Sequence, residues 1–153
     1  MSSSAVARWV ATQRICLSLE QEEEHAQLRD KIASLSAKAC EAAGLSVLAL
    51  TIDSTSSGLF GRCTVALVRA DGQPFPHKAF KVGDEVVFYS PKRRAEATGG
   101  KGKVKGNERD EGTATGIVCR AGPTSFSLVC EEEVDEAHFD DAIRADLSCA
   151  EVR

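Results

Sequence analysis

No proline and no glycine occurs before Gly44. Both residues disrupt helices, one by losing a donor and clashing with the preceding turn, the other through backbone entropy. Their absence, with Ala, Leu, Glu, Gln, Lys and Arg dominating, predicts helix from Ser2 to Ala43. Ser2, Ser3 and Ser4 offer hydroxyls that can cap the free N–H groups of a first turn. Gly44 suits the left-handed position that ends helices.

The apolar stripe of this helix is clear only at its two ends. Val6 and Val10 mark the first part, and Leu28, Ile32, Leu35 and Ala39 the second, spaced by four, three and four. The middle, Gln21 to Glu24, has no apolar face at all, and a helix polar all round projects into solvent or bridges two bodies. The expectation is therefore either a stalk or an amphipathic helix packed on its own domain. Ser34 and Ser36 mark the place for a break, because serine hydroxyls compete for backbone groups.

After Gly44 the period changes from helical to two-residue alternation. Leu45 to Asp53, Cys63 to Val68, Glu85 to Ser90, Thr113 to Arg120 and Ser125 to Cys130 read as strands. Gly58 to Arg62, Asp71-Gly72 and Ala121 to Thr124 read as turns, and Pro74 and Pro76 keep the stretch between the second and third strands out of a central position. Short strands with glycine-rich turns and no helix between them predict an α+β chain. A long helix or helix pair is followed by a small antiparallel barrel of five to six strands, of the SH3 or OB type. The expected organisation is a helical segment over 1–44, a barrel over 45–130 and an acidic segment over 131–153.

Composition narrows the class. Apolar residues make up 42% and charged residues 27%, the values of a globular chain, whereas aromatics reach only 5%, so the core rests on Val, Leu, Ile and Ala. Cys16, Cys40, Cys63, Cys119, Cys130 and Cys149 form no C-x-x-C pair, and His25, His77 and His138 lie far from them in sequence. That spacing disfavours zinc and reads as reduced, mostly buried thiols in a cytoplasmic or nuclear protein. No apolar run approaches a membrane span, and no Ser or Cys stands beside a histidine as a nucleophile with its base.

A net charge of -4 hides strong segregation. The insertion from Pro91 to Asp110 carries Lys92, Arg93, Arg94, Lys101, Lys103, Lys105 and Arg109, and is too long and polar for a hairpin turn. Cations on a barrel rim neutralise phosphates without reading sequence, so these seven residues are the candidate nucleic-acid site, unless the insertion is merely solvated. Gly99 to Gly106 is not a nucleotide-binding loop: Ala97 stands where the first glycine belongs, and Val104 follows Lys103 where a hydroxyl must bind magnesium. Phe88, Tyr89 and Phe126 are the obvious aromatics for base stacking, but all three sit on expected strands, and at least two of them are expected to be buried. Glu131 to Asp146 is strongly acidic and reads as a solvated face or a frayed segment, or as a surface that docks on the basic loop or on a basic partner.

Several stretches resemble one family. Trp9-Val10 with Gln13, Leu17, Leu19-Glu20 and Glu22 to Glu24 is like its opening helix. Gly58-Leu59-Phe60-Gly61-Arg62 is the most distinctive piece. Pro76 to Phe80 leading into Gly83-Asp84-Glu85-Val86, and Ala114 to Val118, complete the set, in order, over roughly residues 9 to 130. The chain resembles the N-terminal region of the immunoglobulin mu DNA-binding protein type of superfamily-1B helicases, relatives of the nonsense-mediated-decay helicase. The resemblance implies a helical stalk and an accessory barrel lying over the single-stranded RNA or DNA path. It also implies a monomer whose motor core, past Arg153, uses ATP and Mg²⁺ for 5′-to-3′ unwinding. No cofactor or catalytic residue is expected in these residues themselves. The alternative is a stand-alone SH3-like protein-interaction barrel with a helical arm.

Overall fold

The computed structural model describes residues 3–76, 79–93, 112–140 and 142–148. Helix α1 runs over Ser3–Ser34 and α2 over Ala37–Ala42. The break falls where the serines predict it. Ser36 leaves the helical conformation and its hydroxyl accepts the Ala39 N–H at 3.2 Å, capping α2. At the other end Gly44 takes a positive φ of 77°. The Leu45 N–H then reaches the Cys40 carbonyl at 2.9 Å and the Gly44 N–H reaches that of Glu41 at 3.1 Å. This paired closure satisfies carbonyls that a helix end would leave free.

No residue of α1 is buried. Trp9, Ile15, Leu17 and Leu19 each lie more than half exposed, whereas partly buried residues gather toward the C-terminal part of the helix, at His25, Ala26, Leu28 and Ile32. The helix is a stalk; it does not fold back along the barrel. Short α2 buries Cys40, and Glu41 pairs with Arg69 across 3.3 Å, joining the stalk's base to the sheet.

Six antiparallel strands close into a barrel in the order β1-β2-β5-β4-β3-β6. They are β1 (Ser46–Ser57), β2 (Cys63–Arg69), β3 (Glu85–Tyr89), β4 (Thr113–Ala121), β5 (Ser125–Cys130) and β6 (Ile143–Ser148). Alternation decides which side chains point inward. Val65 and Leu67, Val86 and Phe88, and Phe126, Leu128 and Cys130 are all buried, while their in-between neighbours face outward. Gly116 lets β4 approach β5: a Cβ there would sit 2.9 Å from Cys130 Sγ and 3.0 Å from Leu128 Cβ.

Closure depends on two features that sequence reading did not place. Strand β1 is long enough to pair with β6 through its first residues and with β2 through the rest. It turns the corner at a bulge where Ala49 adopts φ 55°. The sixth strand, Ile143–Ser148, comes from the acidic stretch assigned outside the barrel. It pairs with β1 on one side and β3 on the other, so the barrel extends to residue 148, not 130. Its apolar alternation, Ile143, Ala145 and Leu147, was present but obscured by the surrounding carboxylates. Closing the sheet here removes both exposed edges.

Candidate nucleic-acid interface

Around an antiparallel barrel, strand ends alternate. The stalk enters at the start of β1, the end where β6 finishes. The opposite end carries the β1–β2 turn, the start of the insertion between β3 and β4, and the segment from Glu131 to Ala142 that crosses from β5 to β6. That crossing segment seals the mouth. Val134 is buried in the core, and the Phe139 ring lies 5.2 Å from that of Phe88.

Lys92 and Arg93 begin the insertion on a helical turn following β3. The described residues on either side of it are joined, the Ser90 N–H donating to the Gly112 carbonyl at 3.2 Å, and the crossing segment is tied to the same place by the Asp140 N–H, which donates to the Ser90 hydroxyl at 2.9 Å. Gly112, at φ 86°, fits because a Cβ would stand 3.0 Å from the His138 carbonyl. Lys92 is exposed and lines an open depression with Phe139, Asp140 and Ala142. Arg93 is half-exposed, with its Nε 3.5 Å from Asp140 Oδ1. One cation of the candidate site is therefore already paired with the acidic segment. At this exposure such a pair contributes about 0–1 kcal/mol, weak enough for a phosphate to displace. Arg94, Lys101, Lys103, Lys105 and Arg109 lie outside the described residues, as does His77.

Burial, expected for at least two of the three aromatics, holds for all of them and removes them as stacking surfaces. Phe88 is wholly enclosed, and Phe126 and Tyr89 are buried. Phe126 packs edge-on against Phe80 with ring centroids 5.6 Å apart, and the Tyr89 hydroxyl donates to Asp146. All three hold the barrel together.

The strongest polar cluster is structural and lies near the stalk's base. Asp146 accepts from Tyr89 at 2.8 Å and from Arg144 Nε at 2.7 Å. Burial lowers the affinity of the Arg144 guanidinium for its proton, but the hydrogen bond and charge of Asp146 outweigh it and hold the pKa above its ordinary value. On the core side, burial and then the neighbouring Cys63 and Cys119 push the Cys130 thiol up to about 12, which makes it a poor nucleophile. Among the described residues no group of His, Cys, Asp or Glu is arranged to hold a metal ion, and no helix is long and apolar enough to cross a membrane.

No curated protein matches the chain. The family model described as "Helicase SMUBP-2/HCS1, 1B domain" matches residues 10–149. The matched span takes in most of the stalk and the whole barrel, β6 included. The chain belongs to this family and is the accessory 1B region of a superfamily-1 helicase.

Proposed function

We propose that this region holds single-stranded RNA or DNA beside an ATP-dependent, 5′-to-3′ helicase motor in cis, acting through phosphate contacts and contributing no catalytic group. Membership of a helicase 1B family is the observation that carries the reading. Two structural features support it. The cationic insertion leaves the barrel at the end away from the stalk, with Lys92 open to solvent. The candidate stacking rings are inside, so contact with a strand falls to Lys92, Arg93, Arg94, Lys101, Lys103, Lys105 and Arg109. Cations of this kind bind the backbone whatever the bases. ATP and Mg²⁺ would belong to the motor. In the same reading the protein works as a monomer in the cytoplasm or nucleus.

The test replaces Arg93, Arg94, Lys101, Lys103 and Lys105 with Gln and measures single-strand affinity against salt. Each lost phosphate contact removes about 0.7 from the slope of log K against log salt on single strands. Unchanged affinity and unchanged slope would remove the insertion as the contact.

A further inference from the structure

The β1–β2 hairpin ends in a turn that holds apolar side chains away from the barrel. Phe60 is 96% and Leu59 81% exposed. Phe60 sits at φ 62°, ψ 32°, and Gly61 follows at φ 73°. The left-handed conformation costs an L-residue about 1–2 kcal/mol over glycine, and a ring in water recovers nothing by burial. The turn is nonetheless closed, with the Gly58 N–H donating to the Arg62 carbonyl at 2.7 Å.

Carboxylates flank this turn. Cys63 pairs with Cys130, so Glu131 starts beside the turn's last residue, and the Thr55 hydroxyl donates to Glu136 Oε1 at 2.8 Å. Glu131, Glu132, Glu133 and Glu136 are all exposed, against Arg62 as the turn's own cation. That balance repels phosphates, which disfavours a nucleic-acid strand stacked on Phe60. It suits an apolar pocket bordered by Lys or Arg. Two side chains offer far less than the roughly 1,200–2,000 Å² that specific protein–protein interfaces bury. A tethered partner escapes that requirement, because a covalent link supplies an effective concentration of about millimolar.

We propose that the Leu59–Phe60 turn, with its acidic flank, docks in cis into an apolar, base-rimmed pocket on the helicase motor. The docking rests on the helicase reading above but not on nucleic-acid binding. It would set the barrel's position over the motor, with the stalk as the other point of attachment.

The test places the photo-crosslinker p-benzoylphenylalanine at position 60 in the intact helicase, with position 82 as an exposed control on another loop. Irradiation is carried out with and without oligo(dT), and crosslinked peptides are read by mass spectrometry. The expected result is an intramolecular link from position 60 to a motor peptide containing Lys or Arg. Position 82 should not give it, and Glu131→Lys/Glu132→Lys/Glu133→Lys should weaken it several-fold. A link to oligo(dT), to a second copy, or to no peptide overturns the proposal. So does a motor link that survives the charge reversal undiminished. Oligo(dT) affinity of the variant with Arg93, Arg94, Lys101, Lys103 and Lys105 replaced by Gln, measured alongside, reports the nucleic-acid reading separately: unchanged affinity with an intact motor link would refute that reading and leave the docking standing.

Discussion

Ser46 Oγ donates a 2.6 Å hydrogen bond to Asp146 Oδ1, joining the first residue of β1 to the closing strand β6. Asp146 also accepts from Tyr89 on β3 and from Arg144, and its side chain is only 14% exposed. One carboxylate thus binds the three strands that meet where the barrel closes.

Replacing Asp146 with Asn leaves Arg144 largely buried without its counter-charge. The expected loss is about 2–4 kcal/mol by urea unfolding, whereas Ser46→Ala, which removes one acceptor and one donor, should cost about 1 kcal/mol. Equal effects from the two substitutions would show that the charge is not what matters at this junction.

Gly116→Ala drives a methyl group against Cys130 Sγ and Leu128 Cβ. Overpacking of this kind costs about 1–3 kcal/mol. Adding Cys130→Ala removes the closest obstacle and should restore part of the loss. If the double variant is destabilised by the sum of the single effects, the two positions are not in steric conflict.

The Cys130 thiol, ordinarily near 9.0, titrates at about 12 in the folded chain. Its folded value is raised, so the stability it contributes is complete below pH 9.0. Between pH 9.0 and 12 the folded chain keeps a proton that the unfolded chain has lost, and stability falls as pH rises, by at most about 1.4 kcal/mol per pH unit. Wild type should therefore lose its advantage over Cys130→Ala across this window. A constant difference in unfolding free energy between the two proteins would contradict the shift. In native protein at neutral pH, a thiol reagent should modify exposed Cys16 and Cys119 well before buried Cys40, Cys63 and Cys130.

Arg93 and Asp140 should act in opposite directions on nucleic acid. Arg93→Gln removes a cation and lowers single-strand affinity. Asp140→Asn frees Arg93 from its 3.5 Å partner and raises affinity. Folding stability should move by no more than about 1 kcal/mol in either case, since the pair is half-exposed. Fluorescence anisotropy with a labelled single strand separates the two, and a shared direction would refute the competition.

Since no residue of the first part of α1 is buried, deleting residues 3–20 should leave the barrel's urea transition within about 0.5 kcal/mol of wild type. The far-ultraviolet helical signal should fall at the same time. A large drop in barrel stability would mean that the helix packs where its exposure says it does not.

Local chemistry made much of this legible. The run without Pro or Gly fixed the helix, the serines placed its break, and Gly44 ended it, because capping and propensity act within a few residues. Two-residue alternation located β1 to β5, and the set of short motifs pointed to the helicase family.

What tertiary structure alone decided lies at long sequence separation. Ile143–Ser148 became a strand because β1 and β3 left two edges to satisfy, and a local excess of carboxylates could not reveal that. That the burial expected of at least two among Phe88, Tyr89 and Phe126 extends to all three, and that Phe60 became surface, follows from the direction each backbone position faces once the barrel closes. Asp146, one carboxylate among many in the acidic stretch, acquired its role only when Ser46 and Tyr89 were brought beside it. A sequence window records periodicity and caps, but it does not record which distant strand supplies a neighbour, and in a closed barrel those neighbours determine burial, charge pairing and exposure.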